Sequence, residues 1–272
     1  ITLSDSIGSA YHFTKRYLGE GSISEVYGGL SFNICHWFAL GANVYYMFGE
    51  TNNARLLTFS ESDLTNIIQD GYFHVGSVRF RYGAQFFHTF GNHSFVLGGI
   101  FENKRKFNST YLQVESSLLD TIPQDDDSRC ELPMTYGVGG SYSWADRLTI
   151  GFDWSRQCMS SILYGGNTAT MNDRNRYCFG VEYRHNPQGR KYVERVMWRL
   201  GCNVTESYIK EIPSTDFTVS MGVGLPLRNA GTIFNATVEY GHRGNKNILE
   251  ENYMRLTINA SIAEDWFRKR RL

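Results

Sequence analysis

Eight charged residues fall on one phase of an alternating pattern that runs through the chain: Arg79, Arg81, Asp153, Glu182, Arg184, Arg199, Glu239 and Arg255. If that phase faces an enclosed interior, unpaired charges there are costly, so the eight must either form ion-pair ladders or line a path for solute and water. Five residues break the polar phase, Tyr45, Met47, Phe73, Val75 and Phe87, and read as the lining of an apolar pocket.

Little other chemistry is written in the chain. Nucleophile elbows, phosphate loops, His-Glu-x-x-His helices and paired metal spacings do not occur. Gly19-Glu20-Gly21 and Gly222-Val223-Gly224 come nearest to a glycine fingerprint, but no helix follows either. The seven histidines are dispersed, and no Ser–His pair sits where adjacent strands would present it. No catalytic residue, cofactor site or metal site is therefore expected. Cys35, Cys130, Cys158, Cys178 and Cys202 are odd in number and widely spaced, which suits free thiols, with one Cys158–Cys178 bridge as the alternative. Asp125-Asp126-Asp127, with Asp120 nearby, lacks the spacing of a calcium loop and reads as a solvated surface loop.

The elements that would position these side chains are strands. Strict apolar–polar alternation signals a strand whose two faces meet different media. Phe38, Leu40, Ala42, Val44, Tyr46 and Phe48 alternate with Ala39, Gly41, Asn43 and Gly49; Val78, Phe80, Tyr82, Ala84 and Phe86 alternate with Ser77, Arg79, Arg81 and Gln85. Leu148–Gln157, Tyr177–Tyr183, Phe217–Leu225, Phe234–Tyr240 and Met254–Ile262 repeat the pattern, and Ser9–Gly19, Ile23–Ile34, Ser94–Lys106, Leu132–Trp144 and Val196–Lys210 complete about twelve strands. Many approach the ~9–11 residues that cross a bilayer when tilted. Short joins at Cys35–Trp37, Gly91–Asn92, Ala145–Asp146 and Arg228–Gly231 trade places with the long segments Glu50–Asp70, Asn108–Arg129, Ser160–Asp173 and Asn245–Asn252. His185–Glu194 is the exception, longish but on the short-turn side.

Composition agrees with this reading. Lys+Arg 27 balances Asp+Glu 27, so there is no basic field for nucleic acid. Aromatics reach 15% with Gly 27 and Pro 5, while the mean hydropathy is −0.35. Lipid-facing apolar and lumen-facing polar residues cancel in such an average. No stretch approaches the ~18 apolar residues of a membrane helix. The fold class expected is all-β, a transmembrane antiparallel β-barrel forming a single domain over 1–272. It is placed in a Gram-negative outer membrane, with the lipid bilayer and lipopolysaccharide as its surroundings. With short turns in the periplasm, the C-terminus is periplasmic too, and Trp266-Phe267 before Arg268-Lys269-Arg270-Arg271 reads as a rim anchor. The start at Ile1 reads as that of a processed or truncated product.

Tyr17-Leu18-Gly19-Glu20-Gly21-Ser22-Ile23, Val26-Tyr27-Gly28-Gly29 and Leu40-Gly41-Ala42-Asn43-Val44-Tyr45-Tyr46-Met47-Phe48-Gly49 resemble the FadL family of outer-membrane transporters for fatty acids and hydrocarbons. So do Leu132–Gly139 and Gly222–Leu227. Val238–Gly244, Glu251-Asn252-Tyr253 and Trp266–Arg270 resemble the branch that includes PorV-like proteins. The resemblance implies a fourteen-stranded barrel plugged by an N-terminal hatch. On that count, the hatch and the first strands would precede Ile1. It also implies passage of hydrophobic solutes into the barrel or sideways into the membrane. The expected function is a conduit for hydrophobic small molecules, not an enzyme. The alternative is a non-transporting barrel that serves as a subunit or scaffold of an outer-membrane protein complex in secretion, nutrient uptake or barrel assembly.

Overall fold

Alternation along nearly the whole chain leaves little material for helices, and the fold is strand almost throughout. The computed structural model describes residues 2–7, 11–59, 66–106, 108–116, 121–126, 131–164, 167–168, 171–210, 214–227, 232–245 and 249–261. In chain order the strands are β1 (Thr2–Ile7), β2 (Tyr11–Cys35), β3 (Phe38–Phe59), β4 (Ile67–Phe90), β5 (His93–Glu102), β6 (Arg105–Lys106), β7 (Asn108–Ser116), β8 (Thr121–Asp126) and β9 (Glu131–Leu132). They continue as β10 (Thr135–Trp144), β11 (Leu148–Gln157), β12 (Leu163–Tyr164), β13 (Asn167–Thr168), β14 (Arg174–Arg184), β15 (Met197–Glu206), β16 (Thr215–Pro226), β17 (Ile233–Asn245) and β18 (Leu249–Ser261). A 3₁₀ turn at Met159–Ser161 and α1 (Tyr192–Arg195) are the helical pieces among the described residues.

One antiparallel wall runs in the order β1-β2-β3-β4-β5-β10-β11-β14-β15-β16-β17-β18, with β7 and β8 branching from β4. Tight joins sit at one end, the turn end. Ala145 and Asp146 (φ 52° and 53°) give the two positive φ values of a hairpin turn whose twist matches its strands. Longer connections sit at the loop end.

The outward phase is apolar and bare. Leu30 is 72% exposed, Leu97 60% and Met254 77%, whereas Phe13, Tyr45, Val75, Ile162, Val196 and Met197 are the buried apolar residues among those described. A water-soluble sheet would hide that face; a wall in lipid presents it to acyl chains. Along β4 the outward residues from Phe80 to Phe90 span about 33 Å of strand, or about 25 Å of membrane normal at a tilt near 40°. Trp37, Phe90, Trp144 and Trp198, all exposed, mark the turn-end rim.

Two expectations about strand ends are corrected. From Tyr11 on, the segment expected as Ser9–Gly19 forms one strand, β2, with Ile23–Ile34, and a kink stands between them in place of a break; Ser9 and Ala10 lie outside the described residues. Gly21 and Gly49 hold φ of 100° and 145° on neighbouring strands, so the chain bends without breaking its ladder. The segments Glu50–Asp70 and Asn108–Arg129, expected as loops, are largely strand: β3 and β4 extend past the kink, and β7 and β8 pair beside them.

The wall's edges follow from strand polarity. β1 pairs only with Tyr11–Arg16 of β2, and among the described residues no ladder covers the same edge of β2 beyond that point or the outer edge of β18. Both β2 and β18 run from loop end to turn end.

The Gly21 kink gives a direct test. A Cβ there would meet the Glu50 carbonyl in a left-handed conformation, while a Cβ at Gly28 meets nothing. Gly21→Ala is expected to destabilise the folded barrel by about 1–3 kcal/mol, and Gly28→Ala to leave it unchanged, in urea unfolding from lipid vesicles.

Candidate functional site in the lumen and a break in its wall

The inward phase of β2, β3, β4 and β5 builds a charged cluster near the loop end. Arg79 bridges Glu25 at 2.6 Å and Glu102 at 2.9 Å, and Arg81 donates to the second oxygen of Glu102. Glu102 is buried, and the two guanidinium partners occupy both of its carboxylate oxygens. Both guanidinium groups also lie over the ring of Tyr45, at 4.4 and 5.0 Å from its centroid, and Tyr27 stacks on the same tyrosine at 5.4 Å. Tyr45 is thereby 6% exposed. Met47 and Val75 follow it on the same phase, Met47 opposite Ser77 and Val75 opposite Gly49.

A second cluster sits toward the turn end of β14 and β15. Arg199 donates to Glu182 at 2.7 Å and to Asn235 at 2.6 Å, and Arg184 lies 3.6 Å from the other oxygen of Glu182. Arg255 and Glu239 face each other across β17 and β18 at 3.7 Å. Elsewhere on the inward phase the wall is bare backbone: Gly41 pairs Gly83, Gly98 pairs Gly139, and Gly151 pairs Gly180, which pairs Gly201. Lacking side chains, this belt leaves a cavity of about 950 Å³, whose polar lining includes Asn43, Arg81, Gln85, Asp153 and Arg176. Arg176 donates to Asn203 at 3.1 Å, and Asp153 has no ion-pair partner among the described residues.

The wall is interrupted beside the first cluster. β4 pairs with β7 up to Gly76 and with β5 from Arg81 onward. Ser77–Phe80 has β3 on one side and, among the described residues, no ladder on the other. The chain leaves the wall after Glu102, forms β6 with β9 outside it, and rejoins at Asn108. An outer recess of about 440 Å³ opens there, lined by Tyr46, Gly76, Ser77, Val78, Arg105 and Lys106. Buried Val75 and Ser77 lie on the inward side of the same strand.

Above the wall, ion pairs fix the loops. Asp173 accepts from the Ser160 hydroxyl at 2.7 Å, from Arg156 at 2.6 Å and from the Ser160 N–H at 3.1 Å. The Ser160 hydroxyl above all, then Arg156, hold its carboxyl below the usual carboxylate range. At Glu131 burial raises the carboxyl, but Lys104 at 2.6 Å and the Leu163 N–H together outweigh it.

Of the eight charges expected inside, six engage partners on neighbouring strands as described, Arg184 lies against Glu182 of its own strand, and Asp153 lines the cavity instead. Of the five apolar residues, Tyr45, Met47 and Val75 are consecutive inward positions beside the wall break. Phe73 is placed only by its backbone, opposite Thr51. Phe87 lies twelve residues from Val75, about 40 Å along the strand, and belongs to the turn end. Cys35, Cys158, Cys178 and Cys202 are free thiols, so no Cys158–Cys178 bridge forms. Cys130, Asp120, Asp127 and the tail from Asp265 lie outside the described residues. The partners Glu25 and Glu102 and the β4 break were not singled out from sequence; Glu25, two residues from Tyr27 on the inward phase, was available to the same parity argument.

An antiparallel wall with an apolar outer band and a charged, glycine-lined interior defines a transmembrane β-barrel. The same fold occurs in a Pseudomonas aeruginosa FadL homologue (12% identity, TM-score 0.57, covering 96% of this chain and 74% of that one). It occurs also in the Ralstonia pickettii toluene transporter TbuX (13%, 0.53, 96% and 79%) and the monoaromatic hydrocarbon channel CymD (14%, 0.52, 96% and 80%). The family model for BamG matches residues 2–272, and the chain belongs to that family. No curated protein matches it by sequence, and these comparisons lend no support to the narrower PorV-like branch.

Two measurements test the electrostatics. Glu102→Ala removes the buried carboxylate shared by two half-buried guanidinium groups and is expected to cost about 3 kcal/mol, against less than about 1 kcal/mol for the more exposed Glu25→Ala, by unfolding in lipid vesicles. The Asp173 clamp is complete above the usual carboxylate range and is lost as pH falls through the lowered folded value. Hydrogen exchange across 158–173, corrected for intrinsic rate, is expected to accelerate in that acid window; in Asp173→Asn the acid step is absent.

Proposed function

We propose that this protein is an outer-membrane conduit for hydrophobic small molecules, which pass between the lumen and the membrane through the break in β4. The observation that carries this reading is the juxtaposition at Ser77–Phe80. Buried Tyr45 and Val75, with half-buried Met47 between them, adjoin a stretch of wall that has no second ladder among the described residues, and a recess opens on its outer side. An unpaired strand edge at the margin of the apolar band is costly, so a break at the height of Phe80 fits a place where solute or protein groups take over. The charged cluster of Arg79, Arg81, Glu25 and Glu102 at the break suits a path that admits apolar solute locally while excluding bulk ion flow. The neighbours described as a toluene transporter and a monoaromatic hydrocarbon channel have the same fold.

We place the turn end, and with it the C-terminus, in the periplasm. We also read residues 1–272 as one barrel domain.

The test is flux. A Cβ at Gly76 meets nothing within 4 Å and lines the recess, so Gly76→Trp fills the break without a clash. Uptake of a hydrophobic aromatic into protein-loaded vesicles is expected to fall about tenfold, with Gly28→Trp as the folded control. Equal flux in both variants, or a purified barrel that carries stoichiometric protein partners and no hydrophobic ligand, would replace the conduit with the scaffold reading.

A further inference from the structure

The detour that breaks the wall also carries two cations onto the lipid-facing side. Arg105 and Lys106, both exposed, form β6, and the Arg105 guanidinium lies 5.5 Å from the ring centroid of Phe80, an outward residue of β4. Phe80 stands at the upper limit of the apolar band, about 25 Å above Phe90. Arg105 and Lys106 are therefore held at headgroup depth, over Tyr46 and Val78, which line the same recess of about 440 Å³. Among the described residues, no carboxylate lines that recess. Glu131, opposite Lys106 in the β6–β9 ladder, is held by Lys104 at 2.6 Å.

A paired ammonium and guanidinium above an aromatic shelf, with acyl chains below, match an anionic headgroup whose tails lie along the wall. We propose that the recess formed by Arg105, Lys106, Tyr46 and Val78 binds the phosphate of a lipid headgroup in the loop-side leaflet. Arg105 supplies a forked donor to the phosphate oxygens, Lys106 a point charge, and Tyr46 a ring against the first carbons of the tail. The inference requires the membrane-spanning wall alone and stands whether or not the lumen conducts.

The experiment compares wild type, R105Q/K106Q and R105K/K106R in phosphatidylcholine nanodiscs doped with phosphorylated or dephosphorylated lipid A. Lipids retained on the protein are counted by native mass spectrometry, and folding of each variant is checked by its heat-dependent shift on gels. Wild type and R105K/K106R are expected to retain phosphorylated lipid A, with R105Q/K106Q retaining about tenfold less. The dephosphorylated lipid should be retained weakly by all three. Should the double glutamine variant fail the folding check, Arg105→Gln alone is read in its place. Equal retention by the glutamine variant, retention indifferent to the phosphate, or displacement by millimolar inorganic phosphate would overturn the proposal. Reduced lipid retention with unchanged vesicle uptake would separate this site from the conduit.

Discussion

Backbone hydrogen bonding in a medium without water is the constraint from which the rest follows. Inside lipid each N–H and C=O must find a partner within the protein, and an antiparallel wall supplies them ladder by ladder. Ten-residue strands such as β5, β10, β11 and β15 satisfy this across one bilayer. Where β4 has one neighbour instead of two, the same rule makes the stretch exceptional, and the buried residues and the outer recess gather there. The window is thus the consequence of a local detour: once Asn103–Lys106 leaves the wall, the edge of Ser77–Phe80 is exposed, and the chain that left is what roofs it.

Charge inside the wall obeys a second version of the same rule. Glu102 is tolerable when buried because Arg79 and Arg81 reach it from the next strand, and the two arginines are tolerable beside Tyr45 because its ring face accepts them. The cluster therefore serves as structure and boundary together. Its counterpart around Glu182 and Arg199 lies toward the other end, and the glycine pairs between supply volume through absent side chains.

Parity was fully legible in the sequence, because a period of two assigns every residue of a strand to one face once a single residue is placed. That is why Arg79, Arg81, Glu182, Arg199 and Arg255 are where alternation puts them. Strand ends were not legible. Gly21 has the look of a turn residue, and only its tertiary neighbour Gly49, bent in the same sense, makes a kink of it. The polar run Thr51-Asn52-Asn53 reads as loop, yet it is strand because β2 and β4 flank it above the membrane. Phe87 shares the phase of Val75 but not its height, and phase alone carries no height.

Polarity extends the constraint to the part of the wall that the described ladders leave open. β2 and β18 both run from loop end to turn end, so pairing them directly would create the one parallel contact in an antiparallel wall. An odd number of strands running the opposite way restores alternation. β1 runs that way and already pairs with Tyr11–Arg16, where Thr2 opposes Arg16 and Ile7 opposes Tyr11. One such strand gives an even wall of twelve and three give fourteen. Both keep antiparallel neighbours throughout, so polarity limits the wall to an even count and leaves circumference to decide between them.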